Sequence, residues 1–487
     1  MADCAHILTN FVHALRAGKN KHHAIVESLR LNLQPVFLTS LTTAIGFLSM
    51  NFSDTPPFRD LGNIVAMGVM VAFVLAVTLL PAMLAILPAR IQPSAALTVN
   101  SMSHIADFVI RRRRFLFRFL GPLFVLIIAF IPRNELNDQF VEYFDETIEF
   151  RRATDFSIQN LTGIDNIQYS LRADETGGVS NPEFLENVEA FANWYRLQPG
   201  AIHINTITDT FKRLNKNLHN DDDSHYRIPT RRNLAAQYLL LYEMSLPYGL
   251  DLNDQINVDR SATRLVATLQ KLTSAEIIEL ENRAQRWMQD HAPAMQTDGS
   301  SPSIMFSHIG ARNIRSMLIG TSVALVLISM VLVVAFRSIK IGIVSLAPNL
   351  MPAALAFGIW GLLVGQVGLA LSVVAAMTIG IVVDDTVHFL SKYLRARREE
   401  QLSTEDAVRY AFFTVGTALW VTSLVLTAGF LGLSRSAFEV NSGMGLLTAI
   451  TIVIALIADF LFLPPLLMAV DRDSNALADT SASAHAT

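Results

Sequence analysis

Cysteine is all but missing from this sequence. The 487 residues hold one, Cys4, so no disulfide can form within the chain, and a lone thiol says little about compartment. Charge is scarce as well. Asp, Glu, Lys and Arg make up 16% of the residues, against about 25% in average soluble domains. The net charge of −4 argues for no nucleic-acid partner. The N-terminal stretch lacks the basic region, apolar run and cleavage site of a signal peptide, so insertion is expected to depend on the membrane spans themselves. No nucleophile–base pair, phosphate loop or metal cluster stands out, so neither an enzyme nor a cofactor is expected. His22, His23 and the scattered histidines of residues 133–313 lack metal-ligand spacing. Asp221–Asp223 reads as a solvated acidic turn, since no EF-hand spacing follows it.

What the chain does have is apolar surface. It is 51% hydrophobic with a mean hydropathy of +0.37. Apolar runs at 33–52, 60–88, 115–132, 314–336, 342–362, 367–390, 411–433 and 443–470 are long enough to cross a bilayer. Residues 89–114 read as a linker, 133–313 as a separate polar domain, and 471–487 as a disordered Ala/Ser/Asp-rich tail. Lys and Arg cluster on one side of the predicted spans: Arg16, Lys19 and Lys21; Arg90; Arg111–Arg114; Arg337 and Lys340; Lys392, Arg395, Arg397 and Arg398. Such clusters mark the cytoplasm. The linker and tail then fall inside, and residues 133–313 outside.

Inside the polar domain, Ile164–Ala173 and Ala201–Thr208 alternate like strands, and Ser261–Gln270 and Pro302–His308 read as two more. Pro182–Leu197, Arg231–Ser245 and Ser274–His291 carry helical patterns, the last with Ser274 as N-cap. Two β-α-β units imply a split, ferredoxin-like α+β arrangement.

One span carries the chemistry. Gly380-Ile-Val-Val-Asp-Asp-Thr-Val-His-Phe-Leu-Ser-Lys-Tyr393 places Asp384, Asp385 and His388 in an apolar helix. Spacings of three and four put these side chains on one face. Ionisable groups inside a span are costly and mark function. Two neighbouring carboxylates cannot easily both ionise in a low-dielectric site, so the pair is suited to taking up and releasing protons. The competing reading is an interfacial cap. Counted from Val367, Asp384 lies about 25 Å along the helix, past the midplane but within the hydrocarbon.

The motif has a second copy. Asp3-Cys-Ala-His6 aligns with Asp385-Thr-Val-His388. Thr39-Ser-Leu-Thr-Thr-Ala-Ile-Gly-Phe-Leu48 aligns with Thr422-Ser-Leu-Val-Leu-Thr-Ala-Gly-Phe-Leu431, Gly62 with Gly445 and Pro81 with Pro464. The last three pairings share an offset of 383, which is an internal duplication. Copy one starts part-way through its acidic helix. Half a helix cannot satisfy its backbone in lipid, so a fragment of a longer protein is expected. The hydroxyls of Thr39 and Thr422 are candidates to bond the carboxylates. Their alternative is bonding to helix backbone. Asp459 is a further intramembrane acid, matched by Ala76 in copy one. His6 and His388 are either proton carriers or interfacial anchors. Gly46, Gly62, Gly429, Gly443 and Gly445 are read as sites of close helix approach.

A long outside domain between the first two spans of a duplicated six-helix unit, with an acidic pair in the fourth helix, resembles the resistance-nodulation-division (RND) superfamily. The nearest likeness is to its branch containing the mycobacterial large membrane proteins (MMPL), the hopanoid transporters and Patched. Phe140-Val-Glu-Tyr-Phe-Asp145 adds to it. The resemblance implies two bundles related by a two-fold along the membrane normal. It also implies a proton relay through Asp3, Asp384 and Asp385, here with His6 and His388, and with Thr39, Thr422 and Asp459 as candidate support. The first copy departs from the pattern, with Ala2 where the second has Asp384. The expected fold is a polytopic α-helical membrane protein with a duplicated RND-type bundle, its first copy (1–88) truncated. A single span (115–132), an extracytoplasmic ferredoxin-like domain (133–313) and a five-helix segment (314–470) follow.

The function implied is proton-driven export of a lipid or other hydrophobic molecule from a bacterial inner membrane. The alternative is a non-transporting sensor or accessory subunit of the same fold, binding a lipid or assisting protein translocation. Expected partners are the hydrophobic or lipid substrate, membrane lipids, protons, and either further copies of the chain or a missing N-terminal half.

Overall fold

The computed structural model describes residues 2–88 and 96–471. Arg90 and the tail beyond Asp471 lie outside the described residues, as does part of the linker 89–114. Contacts divide the chain into two compact units: residues 1–135 with 312–487, and residues 136–311.

The first unit is almost entirely helical, apart from the two-residue strand Gln366–Val367. Among the described residues, eight helices are long and apolar enough to cross a membrane: Lys21–Phe52, Pro56–Ile86, Ser101–Arg133, Pro302–Phe336, Ile339–Leu363, Leu369–Arg398, Thr404–Leu433 and Glu439–Val470. Each predicted span is found, and most are longer than the apolar run that announces them. The chain is therefore a multi-pass membrane protein. Helix α1 (Ala2–Arg16) precedes them; α2 is Lys21–Leu48 and α3 is Pro56–Ile86. Helix α4 (Ala96–Ile128) runs straight through Arg111–Arg114. The C-terminal half of the predicted linker is thus continuous with the span. Lipid-exposed backbone has to bond within its own helix, which favours such unbroken rods.

The duplication is carried into the elements. Lys21 opens α2, and Thr404, 383 positions on, opens α13 (Thr404–Ala411). Pro56 opens α3, and Glu439, again 383 on, opens α15 (Glu439–Ile457). Upstream, Asp3 and Asp385 are separated by 382. The step of one falls in a linker: four residues join α1 to α2, and five join α12 (Leu369–Arg398) to α13. Packing repeats too. A Cβ on Gly62 would lie 2.5 Å from the carbonyl oxygen of Phe47, and one on Gly445 would lie 2.7 Å from that of Phe430. Missing side chains let these helices approach closely in both copies.

Copy two differs from copy one in two π turns. Phe412–Gly416 joins α13 to α14 (Thr417–Leu433), and Ala458–Phe462 joins α15 to α16 (Leu463–Val470). The equivalent residues of α2 and α3 are regular α-helix. Such turns are frequent at functional sites.

The second unit holds a three-stranded antiparallel sheet. Strand Ala262–Leu269 lies between strands Asp165–Arg172 and Ala201–Asn205. Helix α6 (Pro182–Arg196) connects the two outer strands, which is a split β-α-β unit. Helices α5 (Glu149–Asn160), α7 (Ile207–Asn217), α8 (Arg232–Ser245) and α9 (Ser274–His291) complete it. Tyr169, Leu185, Phe191, Tyr195, Phe211 and Leu265 fill its core.

The expected strand at Pro302–His308 does not form. That segment is the first two turns of α10 (Pro302–Phe336), and sheet pairing there is a single bridge between Gln168 and Ser300. Proline at a first helical position suits a helix start, and the apolar run behind it propagates the helix. The cap of α9 is Thr273 rather than Ser274, in a reciprocal capping box with Glu276.

Candidate functional site

Helix α12 is the most enclosed span, and the acids sit in its middle. Asp384 and Asp385 are adjacent, so their side chains diverge by about 100° around the helix. They meet different neighbours.

Asp385 turns toward copy two. Its Oδ2 accepts from Ser423 Oγ of α14 at 3.0 Å. Next to it, Thr386 Oγ1 donates to Asp459 Oδ1 at 2.9 Å. Asp459 lies in the π turn between α15 and α16, fully buried, and its Oδ2 makes no hydrogen bond.

Asp384 turns toward copy one. Asp3 of α1 approaches it there, and Asp3 accepts from Thr39 Oγ1 at 3.4 Å and Ser40 Oγ at 3.3 Å. The serine–carboxylate contact thus occurs twice, as Ser40–Asp3 and Ser423–Asp385, in step with the duplication. A cavity of about 350 Å³ opens between these groups, lined by Asp3, Thr39, Ser40, Asp384 and Thr422 among others.

One turn along α12 is His388. Its ring stacks on that of His6, its partner in the repeat, with centroids 3.6 Å apart and planes within 13°. Both rings are buried and none of their four nitrogens is hydrogen-bonded. Beyond them, Lys392 is 2% exposed. It donates to the carbonyl of Leu31 at 3.0 Å and to Asn32 Oδ1 at 3.3 Å. Asn10 donates to the same Asn32 oxygen at 3.0 Å. Polar groups therefore continue from the carboxylates to the basic end of the bundle.

The fold brings Asp3, Asp384, Asp385, His6, His388 and Asp459 into one buried region. It separates Thr422 from the role considered for it. Thr422 Oγ1 bonds the carbonyls of Ala418 and Leu419 in its own helix. Its neighbour Ser423 holds the carboxylate instead. Thr386, Asn10 and Asn32 are further members that the sequence did not single out, while Ser40 was expected to bond helix backbone or a neighbouring helix and Lys392 to mark the cytoplasmic side. The serines were signalled by Thr-Ser in both repeats. Gly429, expected at a close contact, has open space where its Cβ would stand. The metal-ligand spacing absent from the sequence arises in space: Asp3, Asp384 and His388 each offer an atom within 4.8 Å of the others.

Comparison with known proteins gives the family. A model of the MMPL family matches residues 7–115 and 258–482. The membrane protein MJ1562 of Methanocaldococcus jannaschii is 26% identical over 152 residues, 31% of this chain and 39% of that protein. The hedgehog release protein Disp of the water bear Hypsibius dujardini superposes with a TM-score of 0.64 at 15% identity, over 96% of this chain and 62% of that one. SecDF superposes with a TM-score of 0.55 at 15% identity, over 99% of this chain and 55% of that one. The chain thus spans less than two thirds of each of these relatives' lengths.

Proposed function

The chain belongs to the MMPL family, within the RND superfamily, and from that premise we propose that it is a proton-driven exporter of a lipid or other hydrophobic molecule. The observation that carries the reading is the set of four carboxylates, Asp3, Asp384, Asp385 and Asp459, gathered in a helix bundle. Intramembrane acids of this kind belong to proton pathways.

Each carboxylate has a different cradle, so protonation at one alters the charge seen by the next. Asp385 and Asp459 hold α12, α14 and the π turn together through Ser423 and Thr386. Taking a proton there weakens charge-assisted hydrogen bonds between three helices and lets them shift. The His6–His388 stack and Lys392 continue the pathway toward the basic, cytoplasmic side. The energy is sufficient: one charge crossing about 100 mV is worth about 2.3 kcal/mol.

Residues 136–311 supply a place for the cargo. A cavity of about 330 Å³ is walled by Phe140, Phe150, Ile158, Leu272 and Phe306, with Arg151 and Lys271 on its lining. That volume and mixed wall suit a small amphiphile or part of a larger one. In this reading the three-stranded unit is a ferredoxin-like porter domain outside a bacterial inner membrane.

Purified protein in liposomes tests the reading through proton flux under an imposed pH gradient. Asp385→Asn is expected to cut the flux at least tenfold while the protein remains folded. Undiminished flux would overturn the relay. The likeness to SecDF favours one second reading, an accessory subunit. Under that reading Asp385→Asn would leave binding of a fluorescent lipid intact, and neither protein would show flux.

A further inference from the structure

His388 Nε2 lies 3.5 Å from Asp384 Oδ1, one turn away on α12. Asp3 adds a carboxylate from α1, and one atom of each residue lies within 4.8 Å of the other two. His388 is 0% exposed, and neither of its nitrogens has a hydrogen-bond partner. Asp384 Oδ1 is buried and unbonded as well. Buried polar atoms are nearly always partnered. Two buried groups that face each other at 3.5 Å without a hydrogen bond, with a third carboxylate beside them, point to a ligand between them.

The donor set says which. Two carboxylate oxygens and one imidazole nitrogen match the borderline ions, with zinc as the type. Calcium and magnesium take oxygen-only shells, which the imidazole spoils. Two carboxylates neutralise a dication. Lys392, the nearest buried cation on α12, is held by Leu31 and Asn32 rather than by these acids. The cavity beside Asp3 and Asp384 leaves room for a water as a further ligand and for entry. We propose that Asp3, Asp384 and His388 form a seat for a divalent transition-metal ion of the zinc class. All three residues of the seat also belong to the relay proposed above, so a bound ion would block proton flux. Its occupancy, however, can be read without transport.

The full chain, purified in detergent and stripped with chelator, is titrated with Co²⁺, which reports its ligands through visible absorption. The histidine pairs that could compete, His22 with His23 and His219 with His225, are removed in a background where all four are changed to Gln. One Co²⁺ per chain is expected, displaced by Zn²⁺, with Zn²⁺ raising the melting temperature as a native-state ligand must. His388→Gln and Asp384→Asn should each weaken binding at least tenfold and abolish the thermal shift. If both fail to give a monodisperse protein, Asp3→Asn is judged by the same criterion. Failure of the background protein to take up Co²⁺, or uptake unchanged in these variants, would overturn the seat. Neither result would bear on proton flux in the Asp385→Asn protein.

Discussion

At the scale of residues, a difference of one position decides which hydroxyl serves the acids. Thr422 and Ser423 are neighbours on α14, yet Thr422 bonds its own helix and Ser423 bonds Asp385. A hydrogen bond to a charged group contributes about 1.5–3 kcal/mol, whereas a threonine bonded back to its own turn contributes little. Ser423→Ala should therefore slow proton flux in liposomes roughly tenfold or more, and Thr422→Val should leave it near the parent rate. Equal effects from the two would mean that the contact does not matter. The sequence makes both residues visible as the repeated Thr-Ser pair. It cannot choose between them, because the choice is a rotation of about 100° about a helix that is apolar on most sides. Asp459 is similar. Its presence in a span is plain from the sequence, but its link to Thr386 depends on a π turn, and no local residue pattern announces that turn.

At the scale of elements, the glycines set how closely the helices cross. The Gly62 and Gly445 positions sit against the carbonyls of Phe47 and Phe430, and a Cβ on Gly46 would lie 2.9 Å from the backbone of Gly380. Adding a methyl at Gly46, Gly62 or Gly445 must move backbone, which costs typically 1–3 kcal/mol. Each Ala substitution is expected to lower the melting temperature of the detergent-solubilised protein. Gly429→Ala, with nothing within 4 Å of its Cβ, should be neutral or mildly stabilising, since Ala is the better helix former. A matched loss at Gly429 would show that the crossings are not what the glycines serve.

The spans themselves were readable because lipid imposes long apolar runs, and the repeat was readable because its spacing is nearly constant. Short elements in the polar unit were harder. Residues 302–308 hold a short apolar run, Ile304-Met-Phe306, which suits a buried strand or a helix equally, and they are the start of a helix of 35 residues. Length and continuity decide there. Helix α7 was legible in principle, since Ile207, Phe211 and Leu214 stand at i, i+4 and i+7 as on one buried helix face.

At the scale of the whole molecule, the charges predict which way the chain lies in the membrane. Arg111–Arg114 precede one span, and Lys392, Arg395, Arg397 and Arg398 end another. Reversing the chain would carry these clusters outward against a potential that costs about 2.3 kcal/mol per charge at 100 mV, and the bias toward basic cytoplasmic loops acts in the same sense. With eight candidate spans alternating, the charge pattern predicts the loop after α12 inside, and residues 136–311 and the turn before α15 outside. Three exposed positions report on this: Glu279 in the polar unit, Ala437 before α15 and Glu400 after α12. In a Cys4→Ser background, each is replaced by cysteine and treated in intact cells with a membrane-impermeant maleimide. Glu279→Cys and Ala437→Cys should label at once, and Glu400→Cys only after the membrane is broken. Labelling of Glu400→Cys alone would invert the topology. The polar unit would then face the cytoplasm, where it could not pass cargo outward, and export would fall as a reading even if the carboxylates carry protons.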